Sequence, residues 1–247
     1  MEDSTVPLGN RLKGAITPPC SKSYAQRALA AALLAKGCTT LRGIELCRDT
    51  RSAIAAIESL GAEVEILDNN TLQITGGLNP KLDRLNVGAS GLAARLFTPI
   101  ASLHDEPIVI EGEGTLRHRP MSMMVVPLKE LGVDVRDGGG RLPIEVCGPI
   151  RGGRVTVDGS MSSQFVTGLL IALPLAERDT TIEVEGLVST PYIDMTLETL
   201  ERFGVEVMYH EGDYSEFYIE GGQEFKAVDY TIESDWSAAA TIMVAAA

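Results

Sequence analysis

A pattern of about 70 residues recurs three times along this chain, and it restricts the available folds more than any single motif does. Its clearest marks are Gly61, Gly132 and Gly204, which stand 71 and 72 residues apart. Each glycine follows an amphipathic helical pattern and opens two alternating stretches around a polar or glycine-rich turn. The stretches read "SLGAEVEILDNNTLQITGG", "ELGVDVRDGGGRLPIEVCG" and "RFGVEVMYHEGDYSEFYIEGG". A helix that stops on a C-cap glycine and runs into a β-hairpin accounts for all three. The preceding helices agree with this. "DTRSAIAAIESLG" puts Ile54, Ile57 and Leu60 on one face, while "RPMSMMVVPLKELG" and "TPYIDMTLETLERFG" carry proline near the first helical position. Pro127 is predicted to kink the second of these helices.

Further upstream, each unit has a short strand, a turn of small residues and an apolar helix that passes into another strand. The turns are "ITPPCSKS", "LNVGASGL" and "VTVDGSMSSQF". The unit is therefore predicted to be βαβαββ, repeated three times. The first helix of each unit lacks a polar face and should be buried on every side. The predicted class is α/β in the mixed (α+β) sense: an inside-out α/β prism with apolar helices within and sheets toward solvent. "YTIESDWSAAATIMVAAA" starts the pattern a fourth time, so the chain is expected to be part of a longer protein.

A net charge of −13 over 247 residues argues against a general nucleic-acid or membrane-surface binder. It leaves room for a small anionic ligand wherever local cations oppose the global sign. The first residues have neither a signal-peptide nor a transit-peptide pattern. The apolar runs near 28–35 and 165–176 fall short of the ~20 residues of a membrane span. Four cysteines without a C-x-x-C pair give little support to a metal or dithiol site, and a cytoplasmic protein with reduced thiols is expected. His104, His118 and His210 are scattered and read as structural or solvated. Cys20, beside "SKS", reads as a packing residue sooner than as a nucleophile.

Lys22 raises the functional question. It occupies the first turn of a helix, where the macrodipole is already positive and free N–H groups point outward. A bound anion would explain it. Equivalent helix starts occur at Ser21–Lys22–Ser23, Ser90–Gly91 and Ser162–Ser163–Gln164. In a pseudo-threefold domain they should open toward one end and form an anion site. Ser23 and Arg27 share a helix face, Arg95 lies one turn into the second helix, and Arg119 precedes Pro120 in a loop. Taken singly, each serine reads as an N-cap, Lys22 as a solvated side chain and Arg27 as a surface ion-pair partner. Their recurrence in equivalent turns favours the anion site.

The stretches "SKSYAQRAL", "RPMSMMVVPLKELG", "VDGSMSSQFVTGLLIALPLA" and "LVSTPYIDMTLETLERFGVEV" resemble the 5-enolpyruvylshikimate-3-phosphate synthase family of enolpyruvyl transferases, and the likeness runs from end to end. The resemblance implies a two-lobe enzyme of which this chain is one lobe. Residues 1–20 would be the first crossover and the start of the second lobe. Residues 21–234 would be the N-terminal lobe, in units of about 21–80, 81–150 and 151–225. Residues 235–247 would be the second crossover and the start of a truncated second lobe. It also implies transfer of the enolpyruvyl group of phosphoenolpyruvate to the 5-hydroxyl of shikimate 3-phosphate, with no metal or organic cofactor and a monomeric full-length enzyme. By motif, Ser23, Arg27, Ser162, Ser163, Gln164, Ser189 and Tyr192 would bind shikimate 3-phosphate. Lys22, Gly91, Arg119 and Gln164 would contact phosphoenolpyruvate, with Lys22 also moving a proton. The remaining carboxylates would belong to the second lobe, so this chain alone is expected not to turn over.

The departures cluster on the phosphoenolpyruvate side. Cys20 replaces the family's glycine, Gln26 its asparagine, and "GASGLA" its "GNAGTA", with Ala89 and Leu92 as the changed residues. These changes leave open the sensitivity to glyphosate, which occupies the phosphoenolpyruvate site in the family. Two alternatives stand beside the main reading. The sister enzyme acting on UDP-N-acetylglucosamine usually has Lys-Asn at Lys22-Ser23 and a cysteine at Gly114. A non-catalytic anion-binding homologue would keep the fold without the chemistry.

Overall fold

A computed structural model describes residues 14–246. The first unit contains α1 (Lys22–Leu34), β1 (Ala35–Lys36), β2 (Cys38–Arg42), α2 (Arg48–Ser59), β3 (Glu63–Asp68) and β4 (Thr71–Thr75). The second contains β5 (Arg84–Asn86), α3 (Gly91–Ala101), β6 (Ile108–Glu111), α4 (Val125–Glu130), β7 (Asp134–Asp137) and β8 (Ile144–Cys147). The third contains β9 (Gly153–Asp158), α5 (Gln164–Ala172), β10 (Thr180–Glu185), α6 (Pro191–Arg202), β11 (Met208–His210) and β12 (Asp213–Ile219). They are followed by β13 (Phe225–Lys226), β14 (Asp229–Thr231) and α7 (Trp236–Ala246).

The three marker glycines end their helices in the same way. In each case the glycine N–H and that of the next residue fold back onto the last helical carbonyls. Gly61, Gly132 and Gly204 donate to Glu58, Lys129 and Glu201, while Ala62, Val133 and Val205 donate to Ile57, Leu128 and Leu200. This is the paired C-terminal bond pattern that requires a left-handed residue. The φ angles are +122°, +90° and +76°.

Three four-stranded sheets enclose α1, α3 and α5, which are buried along nearly their whole length. The outer strands alternate as half-buried strands must. In β9 and β10, Val155, Val157, Ile182 and Val184 point inward, while Arg154 and Glu183 pair on the solvent face. α3 and α5 cross at Gly168, where an added Cβ would lie 2.3 Å from the Arg95 carbonyl oxygen. A larger residue there would drive the two helices apart.

The second and third sheets have orders β5-β6-β8-β7 and β9-β10-β12-β11, each built from one contiguous stretch of chain. The first sheet, expected to start with a strand before Lys22, differs. Residues 14–19 form no strand, and Cys20 makes only an isolated bridge to Ser234. The missing position is filled from far along the chain, giving the order β14-β2-β4-β3 with Tyr230 opposite Leu41. The strand expected to start a fourth unit therefore closes the first sheet. Of the expected crossover at 1–20, residues 1–13 lie outside the described residues.

The second correction concerns Pro127. It does not kink a long helix but lies third in the short α4, preceded by a 3-10 turn over Ser122–Met124. Without an N–H, Pro127 cannot bond the carbonyl four residues back, so α-type bonding begins only after it.

Candidate functional site

The N-termini of α1, α3, α5 and α6 open into one cleft of ≈ 440 Å³. The sheets wrap the outside and leave the first helix of each unit pointing the same way. Lys22, Ser23 and Arg27 reach the cleft from α1, and Gly91 from the start of α3. Arg119 comes from the loop before Pro120, Ser162, Ser163 and Gln164 from the start of α5, and Ser189 and Tyr192 from the start of α6. The ten residues singled out from sequence thus share one cleft.

The serines divide by what their hydroxyls do. Ser21 and Ser90 are N-caps, accepting from the N–H groups of Tyr24 at 3.4 Å and Ala93 at 3.1 Å. Ser162 Oγ accepts from Gln164 N at 3.2 Å. The N-cap of α5, Ser163, makes no such side-chain bond. Its hydroxyl is therefore available to a ligand at a helix N-terminus. Ser189 has φ +61°, the only non-glycine residue with positive φ among the described residues. That conformation costs about 1–3 kcal/mol and turns the residue toward the cleft mouth.

The cations are held in different ways. Lys22 Nζ donates to Asp49 Oδ2 at 3.2 Å, and its side chain remains 54% exposed. The hydrogen bond and then the charge of Asp49 raise the Lys22 pKa above its ordinary value. Lys22 is therefore tolerated at its helix end through a protein carboxylate before any ligand arrives. Arg27 is fully buried. Its Nε donates to Thr196 Oγ1 at 2.9 Å, Nη1 to the Ser23 carbonyl at 2.9 Å, and Nη2 to Thr167 Oγ1 at 3.2 Å and the Tyr192 carbonyl at 2.9 Å. All these acceptors are neutral, and burial pushes its pKa down to about 10. Arg95, 6% exposed, is likewise held by neutral acceptors, and burial, then the nearby charge of Arg119, lowers its pKa. Neither Arg27, Arg95 nor Arg119 forms an ion pair among the described residues.

Gly91 is where the second helix start meets these groups. A Cβ there would lie 2.9 Å from Arg119 Nη1 and 3.0 Å from Arg95 Nη1. Cys20 is buried, its thiol pKa raised by burial, and its Sγ accepts from Glu45 N at 3.2 Å. It packs and does not face the cleft lining.

Sequence reasoning did not single out Asp49 or the Gln26–Ser90 contact. Asp49 sits in the first turn of α2, where a carboxylate is favoured by the macrodipole alone, so nothing local marks it as a partner of Lys22. Ser90 Oγ donates to Gln26 Oε1 at 2.9 Å, tying the starts of α1 and α3 together. The Lys22–Asp49 contact joins two helices of the first unit, and the Gln26–Ser90 contact joins the first unit to the second.

Comparison with known proteins bears directly on this arrangement. The chain is 38% identical over 256 residues to a 3-phosphoshikimate 1-carboxyvinyltransferase of Proteus mirabilis, covering 100% of this chain and 59% of the relative. It is 38% identical over 249 residues to one of Methanothermobacter thermautotrophicus, covering 99% and 58%. The solved structure of an EPSP synthase from Acinetobacter baumannii superimposes with a TM-score of 0.82 at 26% identity, over 94% of this chain and 52% of that one. The chain thus spans less than two thirds of the length of these relatives. The family profile described as EPSP synthase (3-phosphoshikimate 1-carboxyvinyltransferase) matches residues 6–247. With the threefold prism, the convergent helix starts and this match across nearly its whole length, the chain belongs to the EPSP synthase family.

Proposed function

We propose that the cleft binds shikimate 3-phosphate and phosphoenolpyruvate, as part of an enzyme that transfers the enolpyruvyl group to the shikimate 5-hydroxyl and releases phosphate. One observation carries this reading: the buried Arg27 and Arg95 and the exposed Arg119, none with a carboxylate partner among the described residues, stand in or beside the cleft where four helix N-termini converge, in a protein of net charge −13. Cations are not buried without counter-ions unless something offsets the cost. Two anionic substrates would do so.

In this reading Ser162, Ser163 and Ser189 hold the shikimate phosphate at the starts of α5 and α6. Ser23 and Arg27 hold its carboxylate, and Gln164 and Tyr192 line the ring. Lys22, Gly91, Arg119 and Gln164 meet phosphoenolpyruvate. Lys22 is an ammonium at neutral pH as an ordinary lysine is, and Asp49 raises its pKa further, so it can supply charge or a proton but cannot accept one while so paired. Donors fixed in advance around the moving negative charge are the main catalytic device expected of such a site. We read residues 21–234 as a lobe of the three units and the flanking segments as crossings to a second lobe. The enzyme would work without metal or organic cofactor, as a cytoplasmic monomer that binds neither nucleic acid nor membrane. Among the described residues, no helix is long and apolar enough to cross a membrane.

The test is calorimetric titration with shikimate 3-phosphate, using shikimate as control, on this chain and on a chain of the relatives' full length. Binding that requires the phosphate and is lost in Ser163→Ala supports the reading. Equal binding of both ligands, or none by the longer chain, overturns it.

A further inference from the structure

Among the described residues, Arg95 is a buried cation with no acidic partner, and its Nε has no hydrogen-bond partner. Its fork nevertheless touches two residues that line the cleft and the loop beside them. Nη1 donates to the Gly91 carbonyl at 3.2 Å and to Gln164 Oε1 at 2.9 Å, and Nη2 donates to the Pro120 carbonyl at 3.1 Å. One side chain thus ties together the start of α3, the start of α5 and the loop that carries Arg119.

The contact with Gln164 has a chemical consequence. An amide can turn either its oxygen or its NH2 group toward a neighbour, but a guanidinium has five donors and no acceptor. Only Oε1 can face Arg95. The Gln164 NH2 group must then point away from it, and Gln164 lines the cleft. Without Arg95 this constraint on the amide is removed, and the orientation that presents an acceptor to an anion becomes accessible. An acceptor there would repel the ligand that the helix starts attract. Arg95 also cannot be drawn off by a carboxylate, because none lies within ion-pair distance among the described residues.

We propose that Arg95 is a positioning residue that locks the Gln164 amide with its NH2 group turned into the cleft, making Gln164 an obligate hydrogen-bond donor to the bound substrate. The part that concerns the substrate rests on the function proposed above. The part that concerns the amide does not.

The experiment therefore has two arms. In the first, without ligand, 15N relaxation reads the order of the Gln164 side-chain NH2 group. The order parameter should approach the rigid value of about 0.85 in the unmodified chain and fall below about 0.6 in Arg95→Met. Arg95→Lys gives the same test with the charge kept, because one ammonium cannot span the three acceptors. An unchanged order parameter in a folded variant overturns the proposal. In the second arm, shikimate 3-phosphate is titrated into Arg95→Met, Gln164→Leu and the double variant. Each single change should weaken binding roughly tenfold, the loss of one charge-supported hydrogen bond, and the double variant should be little worse than either. Losses that multiply overturn the proposal. A loosened amide in the first arm together with no binding by the unmodified full-length protein would support the lock and count against the proposed substrate instead.

Discussion

The mouth and the floor of the cleft hold their charge by opposite means. At the mouth, Lys22 is exposed and paired with Asp49. On the floor, Arg27 stands on the same helix but is fully buried among neutral acceptors. The paired cation can be exchanged between protein and ligand at small cost, because an exposed pair contributes about 1 kcal/mol or less. The unpaired one cannot relax. Burial pushes its pKa down to about 10, a cost of desolvation present before any ligand binds. In the proposed reading the floor is prepared for an anion in advance, and the mouth adjusts when one arrives.

The largest effect should come from the floor. Arg27→Met is expected to weaken shikimate 3-phosphate by about 100-fold or more, since it removes a buried charge-assisted contact. Its unfolding free energy in urea should nevertheless stay within about 1 kcal/mol of the parent, because relief of burial offsets the lost hydrogen bonds. Thr167 and Thr196 lie 3.0 Å apart and can satisfy each other. A loss of several kcal/mol would show Arg27 to be a structural keystone and break the comparison.

At the mouth, Lys22→Met should cost about tenfold in phosphoenolpyruvate affinity, measured by competition, with almost no change in stability. A larger loss than that of Arg27→Met would reverse the proposed order. Asp49→Asn sharpens the contrast further. It frees Lys22 and removes a negative charge, so affinity for the same anion should rise about two- to fivefold. A fall would mean that Asp49 holds Lys22 in its productive position.

The smallest effect is on pH dependence. The folded pKa of Lys22 is raised, so the stability its pair contributes is complete below the ordinary lysine value of 10.5 and lost as pH rises through the raised value. Asp49→Asn should abolish that loss. Identical 15N titration curves for the Lys22 ammonium in parent and variant would show that the pair is not formed in solution.

Much of this site was legible because its marks are local. Ser163, Gln164 and Lys22 could be placed at helix starts from a few neighbouring residues, and Arg27 follows from its spacing to Ser23. The state of each cation was not legible. Nothing near Arg27 in sequence announces Thr167 or Thr196, which come from α5 and α6. The misreading of Pro127 was of another kind, since the information was local. A proline without an N–H permits either a kink or a late helix start, and only the packing of the turn before it selects one.

The sequence by itself determined the three units, the burial of α1, α3 and α5, and the glycine that ends each second helix. These follow from periodicity and from backbone angles that one residue can impose on its neighbours. The tertiary structure alone decided that β14 completes the first sheet, that Asp49 neutralises Lys22, and that Arg95 orients Gln164. The physical reason is common to all three. The edge of β2 offers the same backbone donors and acceptors to any strand that reaches it, and a lysine or an amide accepts any partner of suitable chemistry. Which partner arrives is settled only when the prism closes and brings distant segments within hydrogen-bond reach.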